Sequence, residues 1–321
     1  MEHSKTPTDL SLLLEAFGWD RQSAFVQQDI QEFCCLLIDI LEKRFSKAVQ
    51  DKDNTQTEPP QNLIKNLFNG ETETVISCRN VLYESKKKEP FIDIQLSLKK
   101  DKTKLFCIED SLRDFLAKEE LVGENKYYTE NHGKQDADKR VRFKELPKIL
   151  MLHLRRCEFD YQTDLNKKIK HRVEFPESLD MDQFKDEEFK SGNGCPYSLF
   201  GIFVHHGTEG LAGHYTVLLK NSEGWVEFDD EHTKTVDWQY VQRNAFGGTF
   251  SDLVVEKDSI NLYTRNKKSI SNAYMLMYVD KSQEQSKDHL IGRYSRTVCK
   301  SVSKGDLGKY SEVQQRLRFC T

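Results

Sequence analysis

GLAGHYTVLLKNSEGWVEFDD, residues 210–230, is the stretch on which the reading of this fold turns. Gly210, Ala212 and Gly213 clear space around His214, and Tyr215 to Leu219 then run apolar, as a buried strand does. Asn221 to Gly224 are turn residues, and WVEFDD (225–230) follows as a second strand. An antiparallel hairpin closing at that turn sets His214 opposite the Phe228–Asp230 region, within one residue, so Asp229 or Asp230 faces the imidazole. A histidine that does acid–base chemistry needs such a partner to fix its tautomer. The simpler account is a half-exposed histidine at a strand start, followed by an ordinary acidic turn.

The chain around this hairpin has 321 residues, enough for one large or two ordinary domains. Hydrophobic residues make up 37% and charged residues 31%, which implies a folded core under a heavily solvated surface. A net charge of −4 argues against a nucleic-acid binder driven by counterion release. No apolar run approaches membrane-spanning length, and MEHSKTPTDL lacks the apolar core of a signal peptide, so an intracellular protein without membrane contact is expected. The eight cysteines are then expected as thiols. With no Cys-x-x-Cys pair and only Cys34 and Cys35 close, a zinc ribbon is not supported; no metal or cofactor is expected.

Along the chain, residues 9–17 and 28–45 read as helices, the second with Ile30, Phe33, Cys34, Leu37, Ile38, Leu41 and Phe45 at helical spacing. Its centre is apolar all round, so neighbours are expected on several sides. Residues 46–62 carry a proline pair and read as a loop. FIDIQLSL (91–98) alternates as a strand, 109–121 read as a helix, and ELPKILMLHLRR (145–156) reads as a strand begun at a proline. Residues 181–196 read as a loop. YSLFGIFVHH, HYTVLL, GWVEFDD and AYMLMYV are four further strands. The lysine clusters 86–88 and 167–170 read as solvated faces. The class is α+β, with a mostly antiparallel sheet.

QQDIQEF (27–33), LPKILMLHLRR (146–156), GHY (213–215), FDD (228–230) and NAYMLMY (272–278), in that order, resemble a ubiquitin-specific protease domain. ENKYYTENHGKQDADKRVRF (124–143) and DYQTDLNKKIKHRVEFPESLDMDQF (160–184) resemble the herpesvirus-associated subgroup of that family and its plant relatives. The resemblance covers about residues 10–280. It implies a papain-like cysteine protease fold: residual thumb over 1–62, mainly fingers over 63–150, mainly palm over 151–280, and a polar tail over 281–321. It also implies hydrolysis of isopeptide bonds at the ubiquitin C-terminus, ubiquitin or ubiquitinated proteins as partners, and a cytoplasmic and/or nuclear setting. His214 is then the general base and Asp229 its orienting partner. Asp29 and Glu32 meet the basic ubiquitin tail, and His205 and Tyr215 line its channel. Without the resemblance, Asp29 and Glu32 are helix N-terminal acids complementing the dipole, and His205 and His206 are surface residues.

The family's nucleophile lies in a box resembling G-x-T-C-Y-M-N-S, upstream of the QQD motif. The first 33 residues here contain no cysteine. The N-terminal part of the thumb is therefore expected to be missing, together with the thiol and its oxyanion-stabilising Asn. Ala212 replaces the first glycine of the family's GGHY, Cys157 stands where L-x-L-x-R-F has phenylalanine, and Cys78 lacks a companion for zinc. Cys34 and Cys35 lie mid-helix, where burial raises a thiol pKa and blocks access. Losing the nucleophile of a concerted catalytic unit costs on the order of a million-fold in turnover, so these 321 residues are expected to be catalytically silent. Two other readings compete: a non-catalytic ubiquitin-binding or scaffold protein, and a metal-dependent hydrolase built on His205, His206 and His214. The second lacks a carboxylate at helical ligand spacing.

Overall fold

In the computed structural model, the described residues are 29–50, 63–98, 106–160, 164–190, 192, 194–207, 213–255, 262–268 and 270–281. The helix expected at 9–17, most of the 46–62 loop, Ala212 and the tail after Lys281 lie outside them. Among the described residues no helix is long and apolar enough to cross a membrane.

The scaffold is an eight-stranded sheet. Its main path runs His232–Val236, Gly224–Asp229, His214–Asn221, Pro196–His206, Ser271–Asp280, Ile149–Arg155 and Asp93–Ser97. Every neighbouring pair on this path is antiparallel except the last, which is parallel. Ser178–Asp180 pairs with the start of Pro196–His206. Period-two alternation splits the apolar residues between the two faces. Leu150, Leu152, Ile202, Leu218 and Leu276 join the large core with the helices Ile108–Phe115 and Trp238–Ala245. Met151 and Met275 face the other way and meet Ile38 and Ile64, from the helices Ile30–Gln50 and Leu63–Phe68.

A second, four-stranded antiparallel sheet runs Glu84–Phe91, Gly70–Cys78, Ala137–Glu145 and Glu119–Leu121. Buried Arg142 anchors it: Nε donates to Glu73 Oε2 at 2.8 Å, and Nη1 donates to Asp186 and Glu188 in the turn that follows Lys185. Its guanidinium also lies 5.1 Å from the Phe189 ring centre.

The α+β class holds, and several element readings change. The second helix starts at Ile30 because Asp29 caps it, its Oδ1 accepting from the backbone N–H of Gln31 at 2.8 Å and Glu32 at 3.3 Å. It runs on to Gln50, since Ser46 to Gln50 hold no Gly or Pro to stop it. Of its described side chains only Ile38 is buried, while Phe33, Cys34, Leu37 and Leu41 are half-buried. The helix read over 109–121 ends at Phe115, and Glu119–Leu121 is a strand edge, tertiary pairing having overridden local propensity. Residues 181–189 are not a plain loop: two 3-10 turns, Met181–Phe184 and Glu187–Phe189, bury Met181 and Phe184. Lys168 is not on a solvated face, as its ammonium is buried.

Candidate active site

The strand pair Pro196–His206 and His214–Asn221 sets His206 opposite His214 and His205 opposite Tyr215. The next strand returns through Asn221↔Gly224 to Val217↔Phe228, which carries Asp229 back toward the strand mouth. There His214 Nε2 lies 2.6 Å from Asp229 Oδ1. Asp229 is the partner rather than Asp230, which sits at φ 49° in the two-residue turn that closes Asp229 on His232. Both side chains are about half exposed, 46% for His214 and 53% for Asp229, so the pair contributes little to stability. The hydrogen bond from His214 holds the Asp229 carboxyl below its ordinary value. With Nε2 engaged, Nδ1 is the ring nitrogen left to exchange a proton.

Beside this pair, His206 Nε2 is 2.8 Å from Thr216 Oγ1, and its ring centre is 6.0 Å from that of His214. Burial, reinforced by His214, lowers the His206 imidazole from its ordinary value. His205 is buried, 2% exposed, and not a surface residue. Burial, then Lys168, brings its pKa down to about 4, so the ring is neutral at neutral pH. Gly213 explains part of this packing. A Cβ there would stand 2.1 Å from His206 O and 2.5 Å from His205 Nε2, so only glycine permits the approach.

The residues expected to meet a basic tail form a second group. The rings of His205 and Tyr215 lie 4.9 Å apart, and Tyr274 stands 5.7 Å from Tyr215. The Tyr274 hydroxyl donates to Asp29 Oδ2. The capped start of the Ile30–Gln50 helix is thus fastened to the sheet by Tyr274. Asp29 is therefore both the helix cap and part of this group, while Glu32 is exposed on the first turn. Tyr274 reaches Asp29 from a bulge: Phe203 pairs with Met275 but Val204 with Ala273, which leaves Tyr274 as the extra residue. The sequence signal for Tyr274 was its motif NAYMLMY. For Lys168 there was none.

Lys168 closes the group from below, donating to the carbonyls of His205 and Gly207 at 3.0 Å each and of Ile270 at 3.4 Å. Arg156, fully buried, donates to the carbonyls of Ala273, Ile169 and His171. Among the described cysteines, burial pushes Cys34 up to about 12 and, with Asp93, Cys35 to about 11. Burial likewise raises Cys107 to about 11, and also raises Cys157 and Cys195. Asp229 is the hydrogen-bond partner of His214 among the described residues, and no described thiol takes that place. His214, Asp229 and Asp230 offer three ligand atoms within 4.8 Å of one another, a spacing that a metal ion could bridge, although exposed carboxylates commonly cluster without one.

Comparison with known proteins places the chain in a family. A family model described as ubiquitin carboxyl-terminal hydrolase matches residues 1–278. The chain belongs to the ubiquitin carboxyl-terminal hydrolase family. Ubiquitin carboxyl-terminal hydrolase 15 of Schizosaccharomyces pombe is 35% identical over 294 residues, covering 91% of this chain and 24% of that protein. The Saccharomyces cerevisiae protein of the same name is 32% identical over 302 residues, 89% of this chain and 23% of its own length. Ubiquitin carboxyl-terminal hydrolase 7 of Drosophila melanogaster is 32% identical over 320 residues, 98% of this chain and 26% of its own. The chain thus spans about a quarter of the length of the curated relatives it matches. The sheet-dominated architecture is consistent with the papain-like fold of this hydrolase family.

Proposed function

We propose that this site is the base-and-recognition half of a thiol-dependent ubiquitin hydrolase of the herpesvirus-associated subgroup. The observation that carries the reading is the 2.6 Å pairing of His214 Nε2 with Asp229 in a chain of this family. Asp229 fixes the tautomer, and Nδ1 of His214 takes the proton of an attacking thiol and returns it to the leaving lysine amine. Asp29 and Glu32 supply carboxylates to the basic ubiquitin tail. Tyr215 lines the channel, and buried His205 backs the Tyr215 ring. The subgroup likeness rests on residues 124–143, which include the strands Tyr127–Thr129 and Gly133–Gln135 and most of Ala137–Glu145, and on residues 160–184, which include the strand Leu165–Lys168 that pairs with Cys157–Asp160.

By themselves these 321 residues then bind ubiquitin without cleaving it; burial raises the thiols of Cys34, Cys35, Cys107, Cys157 and Cys195, which disfavours a nucleophilic thiolate at those five positions. That same observation favours the second reading, a non-catalytic ubiquitin-binding protein. Calorimetric titration with ubiquitin and with ubiquitin lacking its whole basic C-terminal tail tests the recognition half. The intact protein should bind at least about tenfold more tightly, and Asp29→Asn should remove most of the difference. Equal affinity for both ligands would contradict the proposal.

A further inference from the structure

His206, His214 and Asp229 come from three adjacent strands of the large sheet, Pro196–His206, His214–Asn221 and Gly224–Asp229, and the middle strand carries the proposed base. His206 stands directly opposite His214 in the register, with the ring centres 6.0 Å apart and the planes tilted by 41°. Packed ring pairs span about 4.5–7 Å, so the two imidazoles are neighbours in that sense. Asp229 reaches the same His214 ring from the opposite neighbouring strand, 2.6 Å from Nε2. His206 was read from sequence as a surface residue. Its Nε2 lies 2.8 Å from Thr216 Oγ1, and Thr216 is 2% exposed, so the ring is anchored at a buried point.

His214 needs a second restraint. Its side chain is 46% exposed, and Asp229 is its hydrogen-bond partner among the described residues. An exposed pair of this kind favours the bonded orientation over its alternatives by about fivefold at most. A base that must keep Nδ1 free for a proton requires a stronger bias toward one ring orientation. The neighbour that supplies it must also carry no charge, because a cation at that distance opposes the imidazolium that forms on His214. Burial, then His214, lowers the His206 imidazole from its ordinary value, so that ring is largely uncharged at neutral pH. The other charged groups facing it are Glu227 and Asp229 from the Gly224–Asp229 strand and Lys168 from Leu165–Lys168.

We propose that His206 is a positioning residue for the proposed base: its ring, anchored on Thr216, confines His214 to the orientation in which Nε2 meets Asp229 and Nδ1 is left free. His206 itself touches no reacting atom and acts through His214 alone. Its part in turnover rests on the reading of His214 as general base. The confinement is a property of the 321-residue chain and is measurable without any turnover.

Long-range proton–nitrogen NMR spectra of the whole chain, in mildly alkaline solution, report which ring nitrogen of His214 carries the proton. His214 should show one tautomer, protonated on Nε2. His206→Ala should give a mixture of both, and His206→Phe, which restores a ring wall, should return the single form. The second readout uses the chain fused to a family Cys-box segment and labelled by ubiquitin with a thiol-reactive C-terminal group. There His206→Ala should slow labelling about tenfold. His206→Phe should slow it less, and His206→Lys, which fixes a charge beside the forming imidazolium, should slow it more. Ubiquitin affinity measured by calorimetry should be the same in all three. An unchanged single tautomer in His206→Ala, a mixture already in the parent chain, or labelling as fast in His206→Ala and His206→Lys as in the parent would overturn the proposal. If His206→Ala lowers the urea midpoint, the comparison of His206→Phe with His206→Lys decides, and equal rates for the two overturn it. A fused parent chain that never labels overturns the base assignment instead, while the tautomer spectra still decide the confinement.

Discussion

Replacing Lys168 by methionine probes the link between fold and site, because one ammonium ties together three backbone carbonyls at the mouth of the His214 hairpin. It donates to His205 O and Gly207 O at 3.0 Å and to Ile270 O at 3.4 Å, and the side chain is 8% exposed. Hydrogen bonds from a charged donor contribute about 1.5–3 kcal/mol each. With the longest one discounted, about 3–6 kcal/mol is lost. Against this, burial, then the charge of Arg156, lowers the ammonium from 10.5 to about 8. At about 1.4 kcal/mol per tenfold this caps the cost of the buried charge near 3 kcal/mol, and residual solvent at the site brings it nearer 2. Methionine keeps the stem and relieves that cost, so the net destabilisation should be about 1–4 kcal/mol. The sign of the pH dependence follows from the folded value being the lower one. The unfolded chain holds this proton longer, so stability gained through Lys168 rises between about pH 8 and 10.5 and is absent below pH 8. Urea unfolding across pH 7–10.5 reads both effects, and Lys168→Met should flatten the rise. An unchanged urea midpoint at pH 7, or a rise that persists in the variant, would refute the clamp.

Other outcomes follow from the same geometry. Asp229→Asn should leave the thermal midpoint unchanged, because the pair is solvent-exposed, while in a chain supplied with a family Cys-box segment it should lower turnover by about 10²–10⁴-fold; a thermal shift without a kinetic one would assign Asp229 a structural role instead. Gly213→Ala must displace His206 O and the His205 ring, so it should weaken ubiquitin binding and perturb the Tyr215 ring signal, and a silent substitution would count against the packing described. The Ile30–Gln50 helix has one buried residue among its described side chains, Ile38. Its amides should therefore exchange with deuterium faster than those of Pro196–His206, and equally slow exchange would mean that this helix is fully covered.

The sequence made the hairpin legible because two strong signals agreed there: an apolar run on each side and a four-residue turn between them. Symmetric pairing about that turn was enough to bring Asp229 toward His214. The choice between Asp229 and Asp230 needed the left-handed turn at Asp230, which no residue pattern announces. Glu84–Phe91 gave no strand signal because ESKKKEPF is charged, and its pairing comes from the neighbouring Gly70–Cys78 strand. Residues 117–121 favour helix locally, yet the edge of Ala137–Glu145 recruits Glu119–Leu121 as a strand. Lys168 looked solvated because it sits among lysines, and only the tertiary fold places three carbonyls around it. Tyr274 follows the same logic, since its reach to Asp29 depends on a bulge.

The proposed division of labour, with base and recognition in these residues and the thiol outside them, is tested most directly by ubiquitin bearing a thiol-reactive C-terminal warhead. Intact-mass spectrometry should show no adduct on the 321-residue chain. Fusion of a family Cys-box segment ahead of it should give a single-ubiquitin adduct on the added cysteine, slowed at least about a hundredfold by His214→Ala. A one-ubiquitin mass shift on the chain alone, mapped to Cys157 or another of its own thiols, would contradict the assignment, as would a fused chain whose labelling rate ignores His214.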